Sequence, residues 1–265
     1  MSQKVKKIAF RIVSDYFLPP RIGEYRQLLE TLLREGYRFK TVRETAEAIL
    51  SGNTIPEKLA VLRHDIDTDP FFVQDLVKVE SSLNVRSTYY FRLSTFRSNI
   101  VQAAVDAGME SSYHYEEVAS FAKQKKIMRA PDIRTRFNEI RDVFQENLYR
   151  LRKQTGLPMD TVASHGDFAN RRLGVPNTEL LVGSEFRKRC GILCEAYDPW
   201  FEGRVTARFS DAPYPVFWKS GNPRKAAVRA TPFLLILMHP RHWRCNWGSN
   251  TRENITRLLE GIRFN

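Results

Sequence analysis

Residues 59–70 read LAVLRHDIDTDP. Four apolar residues, Leu59 to Leu62, run straight into Arg63, His64, Asp65, Asp67 and Asp69, and Pro70 ends the pattern. The apolar run reads as a buried strand, yet the carboxylates behind it do not belong in a core. Both features fit a parallel strand whose carboxyl end opens on a cleft, where parallel α/β architectures gather functional groups. Asp69, placed before Pro70, reads as the N-cap of the helix that follows.

The flanking sequence alternates strand-like and helix-like segments. KIAFRIV (7–13), YRFKTV (37–42), STYYFRL (87–93), MESSYHY (109–115), DTVASHG (160–166), RVTARFSD (204–211) and PFLLILMHP (232–240) read as strands. Between them, EYRQLLETLLREGY carries leucines at 28, 29, 32 and 33, one face of a helix that Gly36 ends. RETAEAILSG, the stretch from Pro70 to Leu83, NIVQAAVDAG, the long segment 133–156 and the closing TRENITRLLEGI also read as helices. This alternation predicts parallel strands joined by helical crossovers. With about eight such units, the expected fold is a single domain over residues 1–265, a distorted (β/α) barrel of the TIM type, with a doubly wound open sheet as the alternative.

Composition narrows the function classes. Lys and Arg number 42 against 30 acids, a net charge of +12. Spread along the whole chain, this excess suits an acidic partner: nucleic acid, anionic lipid or a phosphate-bearing substrate. No zinc-finger spacing or RNP-like strand supports a specific nucleic-acid reader. The longest apolar run, PFLLILM, is strand-sized, so no transmembrane segment is expected and any membrane contact would be peripheral. The N-terminus lacks an apolar stretch of signal-peptide length, and a cytoplasmic location is expected. Cys190, Cys194 and Cys245 fit a reducing compartment and read as buried thiols, not as a metal site.

The five histidines, His64, His114, His165, His239 and His242, all fall at or just after the carboxyl end of an expected strand. One such histidine is ordinarily a surface group; four separate segments converging is a site. Asp65 and Asp67 are two apart, which puts both on one face of a continuing strand. Carboxylates that close repel unless a cation lies beside them. Carboxylate plus imidazole suits a divalent first-row metal. The pattern therefore reads as one metal site with a spare carboxylate to act as general base.

HDID, GMESSYH, SHGD and LMHP, in that order, resemble the polysaccharide deacetylase superfamily, the family-four carbohydrate esterases and their relatives, and most closely a branch that accompanies surface-polysaccharide and O-antigen synthesis. The resemblance spans residues 60–243 and implies a distorted (β/α) barrel that removes acetyl groups from N-acetyl sugars with a bound divalent metal, zinc foremost. By position it makes Asp65 the catalytic base, Asp67 and His114 metal ligands, and His239 the catalytic acid. The family's second motif is H-x3-H, but Val118 stands four residues after His114. His165 is the expected replacement ligand, with Glu116 or Glu117 as alternatives; a catalytically degenerate sugar-binding relative is the rival reading. Asp211 is the expected partner of His239, and Asp167 a candidate to orient His165. Arg63, Arg92 and Arg241 at strand ends are expected to bind a carbohydrate carrying phosphate, in a nucleotide- or lipid-linked form. Trp243, with Trp200 and Trp218, is a candidate to stack on a sugar face.

Overall fold

The structure, a computed structural model, describes residues 3–264. The chain opens with helices α1 (Gln3–Tyr16) and α2 (Ile22–Arg34), then strand β1 (Arg38–Phe39), helix α3 (Val42–Leu50) and strand β2 (Leu59–Ile66). Helix α4 (Val73–Ser82) leads to β3 (Thr88–Phe91), α5 (Ser98–Asp106) to β4 (Glu110–Tyr115), and α6 (Glu117–Lys125), α7 (Ala130–Arg134) and α8 (Phe137–Thr155) to β5 (Thr161–Ser164). Then come α9 (Phe168–Leu173), α10 (Ser184–Cys190), β6 (Cys194–Glu195), α11 (Pro199–Glu202), β7 (Ala207–Asp211) and β8 (Trp218–Lys219). Helix α12 (Pro223–Val228), β9 (Phe233–Met238) and α13 (Trp247–Arg263) complete the chain.

Two expected elements differ. KIAFRIV is not a strand but part of α1: Ile8, Phe10 and Ile12 alternate, yet Val5, Ile8 and Ile12 also satisfy helical spacing, and no sheet edge recruits the segment. YRFKTV shrinks to the two residues of β1, because Thr41 caps α3 through a reciprocal capping box with Glu44.

The strands order as β6-β5-β4-β3-β2-β9-β7-β8, with β1 against the start of β2. All ladders are parallel except the β7–β8 hairpin. The first long strand lies beside the last, as in a barrel, but among the described residues no ladder joins β6 to β7 or β8. The expected closed barrel is therefore corrected to a curled sheet with a gap on one side: two-residue strands β6 and β8 leave too little backbone to bridge it.

Curling shows in the core. Leu59 and Val61 of β2 share one apolar cluster with Tyr90, Ala163, Cys194 and Leu235, so strands far apart in the sheet meet on its concave face. The alternate residues Ala60, Leu62 and Ile66 pack outward against α2, α4 and α5, and Tyr113, Tyr115 and Val162 against α6 and α8. Every residue of β2 is buried, which is why its sequence shows no polar alternation. The three thiols are free, with Cys190 and Cys194 buried.

Candidate active site

The period of two along β2 sorts the opening motif into opposite faces. Arg63 and Asp65 point to the concave side with Asp67 just beyond the strand; His64 points outward. Of the five histidines His64 thus leaves the site. Its ring stacks on Tyr89 at 4.5 Å and its Nε2 lies 2.8 Å from Glu80 Oε1, all fully buried.

On the concave side, Asp65 is gripped by Arg63 through Nε to Oδ1 and Nη2 to Oδ2, both 2.8 Å. Burial alone would raise the Asp65 carboxyl, but the Arg63 guanidinium holds it below its ordinary value, so it stays ionised. His114 Nδ1 lies 2.9 Å from the Ala163 carbonyl. A carbonyl only accepts, so Nδ1 carries the proton and Nε2 presents a lone pair. That lone pair faces Asp67 Oδ1 at 3.3 Å and Asp65 Oδ2 at 3.4 Å. His165, whose backbone is tied to Tyr115 and Asn177, brings Nε2 to 3.5 Å from the same Asp67 Oδ1. Its Nδ1 lies 3.2 Å from Glu116, and Glu116 is in turn forked by Arg92.

These atoms answer whether a divalent ion fits. Asp67 Oδ1 is buried and has no hydrogen-bond partner. One carboxylate oxygen facing two imidazole nitrogens is a donor set for zinc or a similar ion, whose ligands at about 2.0–2.1 Å from the metal sit about 3.4 Å apart. Among the described residues, the groups whose possible ligand atoms already cluster are Asp211 with His239 and His242, and Glu116 with His165 and Asp167; Asp67, His114 and His165 do not form such a cluster as they stand. The carboxylates of those two clusters are already engaged, although His165 Nδ1 and His242 Nδ1 are buried without a hydrogen-bond partner. Asp211 accepts from the His239 and Trp243 N–H groups, Glu116 from Arg92, and Asp167 from Ala169 N–H and Lys123.

Across the cleft, at the end of β9, His239 Nδ1 lies 2.6 Å from Asp211 Oδ1, which also faces His242 Nδ1 at 3.0 Å. Burial disfavours the His239 cation, but Asp211 outweighs it and raises the imidazole to about 9. Asp65, Asp67, His114, His165, Asp211 and His239 line one cleft of about 350 Å³.

Other expected roles change. Asp69 makes no side-chain cap; its carboxylate binds Arg244 and Asn246. Asp167 caps α9 instead of orienting His165, and Glu116 stands at His165 in its place. Glu117 accepts from Tyr113 and Asn147 on the outer face, and Val118 is buried there too. Arg63 and Arg92 are committed to carboxylates, which leaves them no free fork for phosphate. Trp243 is only 2 % exposed, packed on Tyr25 and Trp218 with its indole N–H on Asp211, so it offers no face to a sugar. Arg241 does line the cleft: Asp15 and Asn254 hold part of its guanidinium, while its buried Nη1 has no hydrogen-bond partner. Tyr197, which the sequence reading missed, also lines the cleft; its hydroxyl accepts from Arg63 at 3.1 Å, leaving its own proton to donate. Arg11, Lys219 and Arg257 join it at the cleft with no motif to announce them.

No protein-family model matches the sequence, and no curated protein matches it. Solved structures similar to this one include the Streptococcus pyogenes deacetylase PplD in complex with acetate, with a TM-score of 0.48 and 13% identity over 97% of this chain and 92% of that one. A Streptococcus mutans CE4 esterase gives 0.41 and 15% over 83% and 84%. BA3943, a CE4 family pseudoenzyme from Bacillus anthracis, gives 0.42 and 16% over 78% and 61%. At these values the likeness carries no functional weight, and the chemistry rests on the side chains.

Proposed function

We propose that the protein is a metal-dependent hydrolase that removes an acetyl group from an N-acetylated sugar, the substrate carrying phosphate in a nucleotide- or lipid-linked form. One observation carries the reading: the buried, unpartnered Asp67 Oδ1 facing two imidazoles, beside an anchored carboxylate and opposite a carboxylate-backed histidine. Asp67, His114 and His165 would hold a divalent transition metal. Such an ion, zinc foremost, supplies Lewis acidity, polarising an acyl carbonyl and acidifying water.

The chain's own groups do the rest. Asp65 is ionised and fixed by Arg63, so it can take a proton from an attacking water without moving. Arg63 weakens Asp65 as a base, which is why acidified water is needed. The Tyr197 hydroxyl can donate to oxygen of a substrate in the cleft. His239, with Nδ1 on Asp211, holds its other proton on Nε2 and delivers it to the departing amine. Without that proton the leaving group would be an amide anion, too basic to expel at neutral pH. Arg241 Nη1, with Arg11, Lys219 and Arg257, gives the cleft a cationic side suited to phosphate oxygens. Surface-polysaccharide synthesis is the setting in which such a substrate would arise.

The test is release of acetate and a free amine from N-acetylated sugar nucleotides by metal-reconstituted protein. Turnover by wild type and none by Asp65→Asn supports the reading. Metal binding and sugar binding without turnover would favour the degenerate relative, for which Val118 in place of a second histidine is the specific observation.

A further inference from the structure

Helix α13 is turned inside out. Its polar side faces the protein: Asn250 is fully buried and donates to the Asp15 carbonyl, Asn254 accepts from Arg241, and Glu260 takes Lys123. Its apolar side faces out, with Trp247, Ile255, Leu258 and Ile262 between 52% and 65% exposed at helical spacing. A helix in a globular protein ordinarily does the reverse. Helix α1 packs on it and leaves Ile8 and Ile12 about half exposed, and the exposed Phe17 ring lies 6.4 Å from Trp247, which joins the two apolar surfaces into one. A contiguous apolar surface of this kind marks a contact face.

The charges around it select the occupant. Lys6, Arg252 and Arg263 are exposed on these helices. Among their described residues the acids turn inward: Asp15 is buried, Glu253 pairs with Arg257 and Glu260 with Lys123. Two copies of this face would set cations against cations. Anionic head groups over acyl chains would meet both the cations and the apolar stripe, with Trp247 and Phe17 at the depth where aromatic rings sit in a bilayer. The same two helices supply Arg11 and Arg257 to the cleft, so the contact face adjoins the cleft mouth. Among the described residues no helix is long and apolar enough to cross a membrane.

We propose that α1 and α13 form a docking face for an anionic lipid bilayer, which brings the cleft to substrates held at the membrane surface. The docking is independent of the chemistry proposed for the cleft, and its test does not use turnover. In flotation experiments the full chain is expected to rise with vesicles of phosphatidylcholine and phosphatidylglycerol in equal parts, to stay behind with phosphatidylcholine alone, and to detach as salt is raised. The double variant Leu258→Glu, Ile262→Glu should bind anionic vesicles about tenfold more weakly or worse. Its melting curve should be unchanged because both side chains are exposed. Arg252→Glu should weaken binding without altering the apolar stripe. Failure of the wild type to float with anionic vesicles, or equal flotation of the double variant, would overturn the proposal. So would concentration-dependent self-association in sedimentation velocity that the double variant abolishes while vesicles are ignored; that outcome would assign the face to a second copy.

Discussion

The two faces of β2 carry the same chemistry to different ends. On the outer face His64 meets Glu80, whose two oxygens take four donors: His64, Tyr25, Tyr89 and Ser87. Burial holds both tyrosines well above their ordinary pKa, so they stay donors. That cluster is closed, with no solvent access and no acceptor to spare on Glu80. One residue along, Asp65 and Asp67 face His114 and His165 across a cleft, and Asp67 Oδ1 has nothing to accept from. A histidine beside a carboxylate is thus not itself a site signal. What separates the two faces is where the unpaired atom lies: on the outer side both Glu80 oxygens are engaged and the unpartnered His64 Nδ1 is sealed in the core, while on the concave side the open Asp67 oxygen faces two imidazoles in a cleft that an outside group can enter.

The largest expected effects fall on the open side. Asp67→Asn, His114→Ala and His165→Ala should each release the metal and abolish turnover, read by metal content and acetate release together. Asp65→Asn should keep the metal and lower turnover by about 10²–10⁴-fold, as should His239→Ala. The pH profile sharpens this. His239 acts only when protonated, and its pKa is raised to about 9, so activity should fall as pH rises through that value. Asp211→Asn removes the charge that raises it, and the basic limb should move down toward an ordinary imidazole, about 6.5. A limb that stays in place would separate His239 from the acid role.

Smaller effects follow with distance from the cleft. Glu116→Gln weakens the carboxylate behind His165 and should cost about 10–100-fold in metal affinity, measured by competition with a chelator. On the closed side, Glu80→Gln should cost about 1–3 kcal/mol in urea unfolding, because it disrupts the buried hydrogen bonds that Glu80 accepts. It should leave metal content and turnover per folded molecule unchanged. Loss of metal in folded Glu80→Gln protein would erase the contrast between the two faces.

Much of this was legible in the sequence, for physical reasons. The buried run at 59–62, the leucine spacing at 28–33 and the strand-end positions of the histidines all reflect local periodicity, and periodicity survives folding. Asp65, Asp67, His114, His165, Asp211 and His239 meet because parallel strands put their carboxyl ends together. Pairing at a distance was not legible. Nothing local says that Arg92 belongs to Glu116, that Asp69 belongs to Arg244, or that Trp243 lies beneath the site and not in it. KIAFRIV misled because alternation over seven residues fits a helix as well as a strand. Tyr197 follows a two-residue strand too short to register as one. The gap between β6 and β7 is a property of the closed or open ring, which no local pattern encodes.

The central claim is that Asp67, His114 and His165 hold one divalent metal. Elemental analysis of reconstituted wild type, Asp65→Asn, His114→Ala and His165→Ala tests it most directly. The account predicts near-stoichiometric metal in wild type and Asp65→Asn, and its loss in both histidine variants. Metal retained in folded His165→Ala, or none in reconstituted wild type, would contradict it.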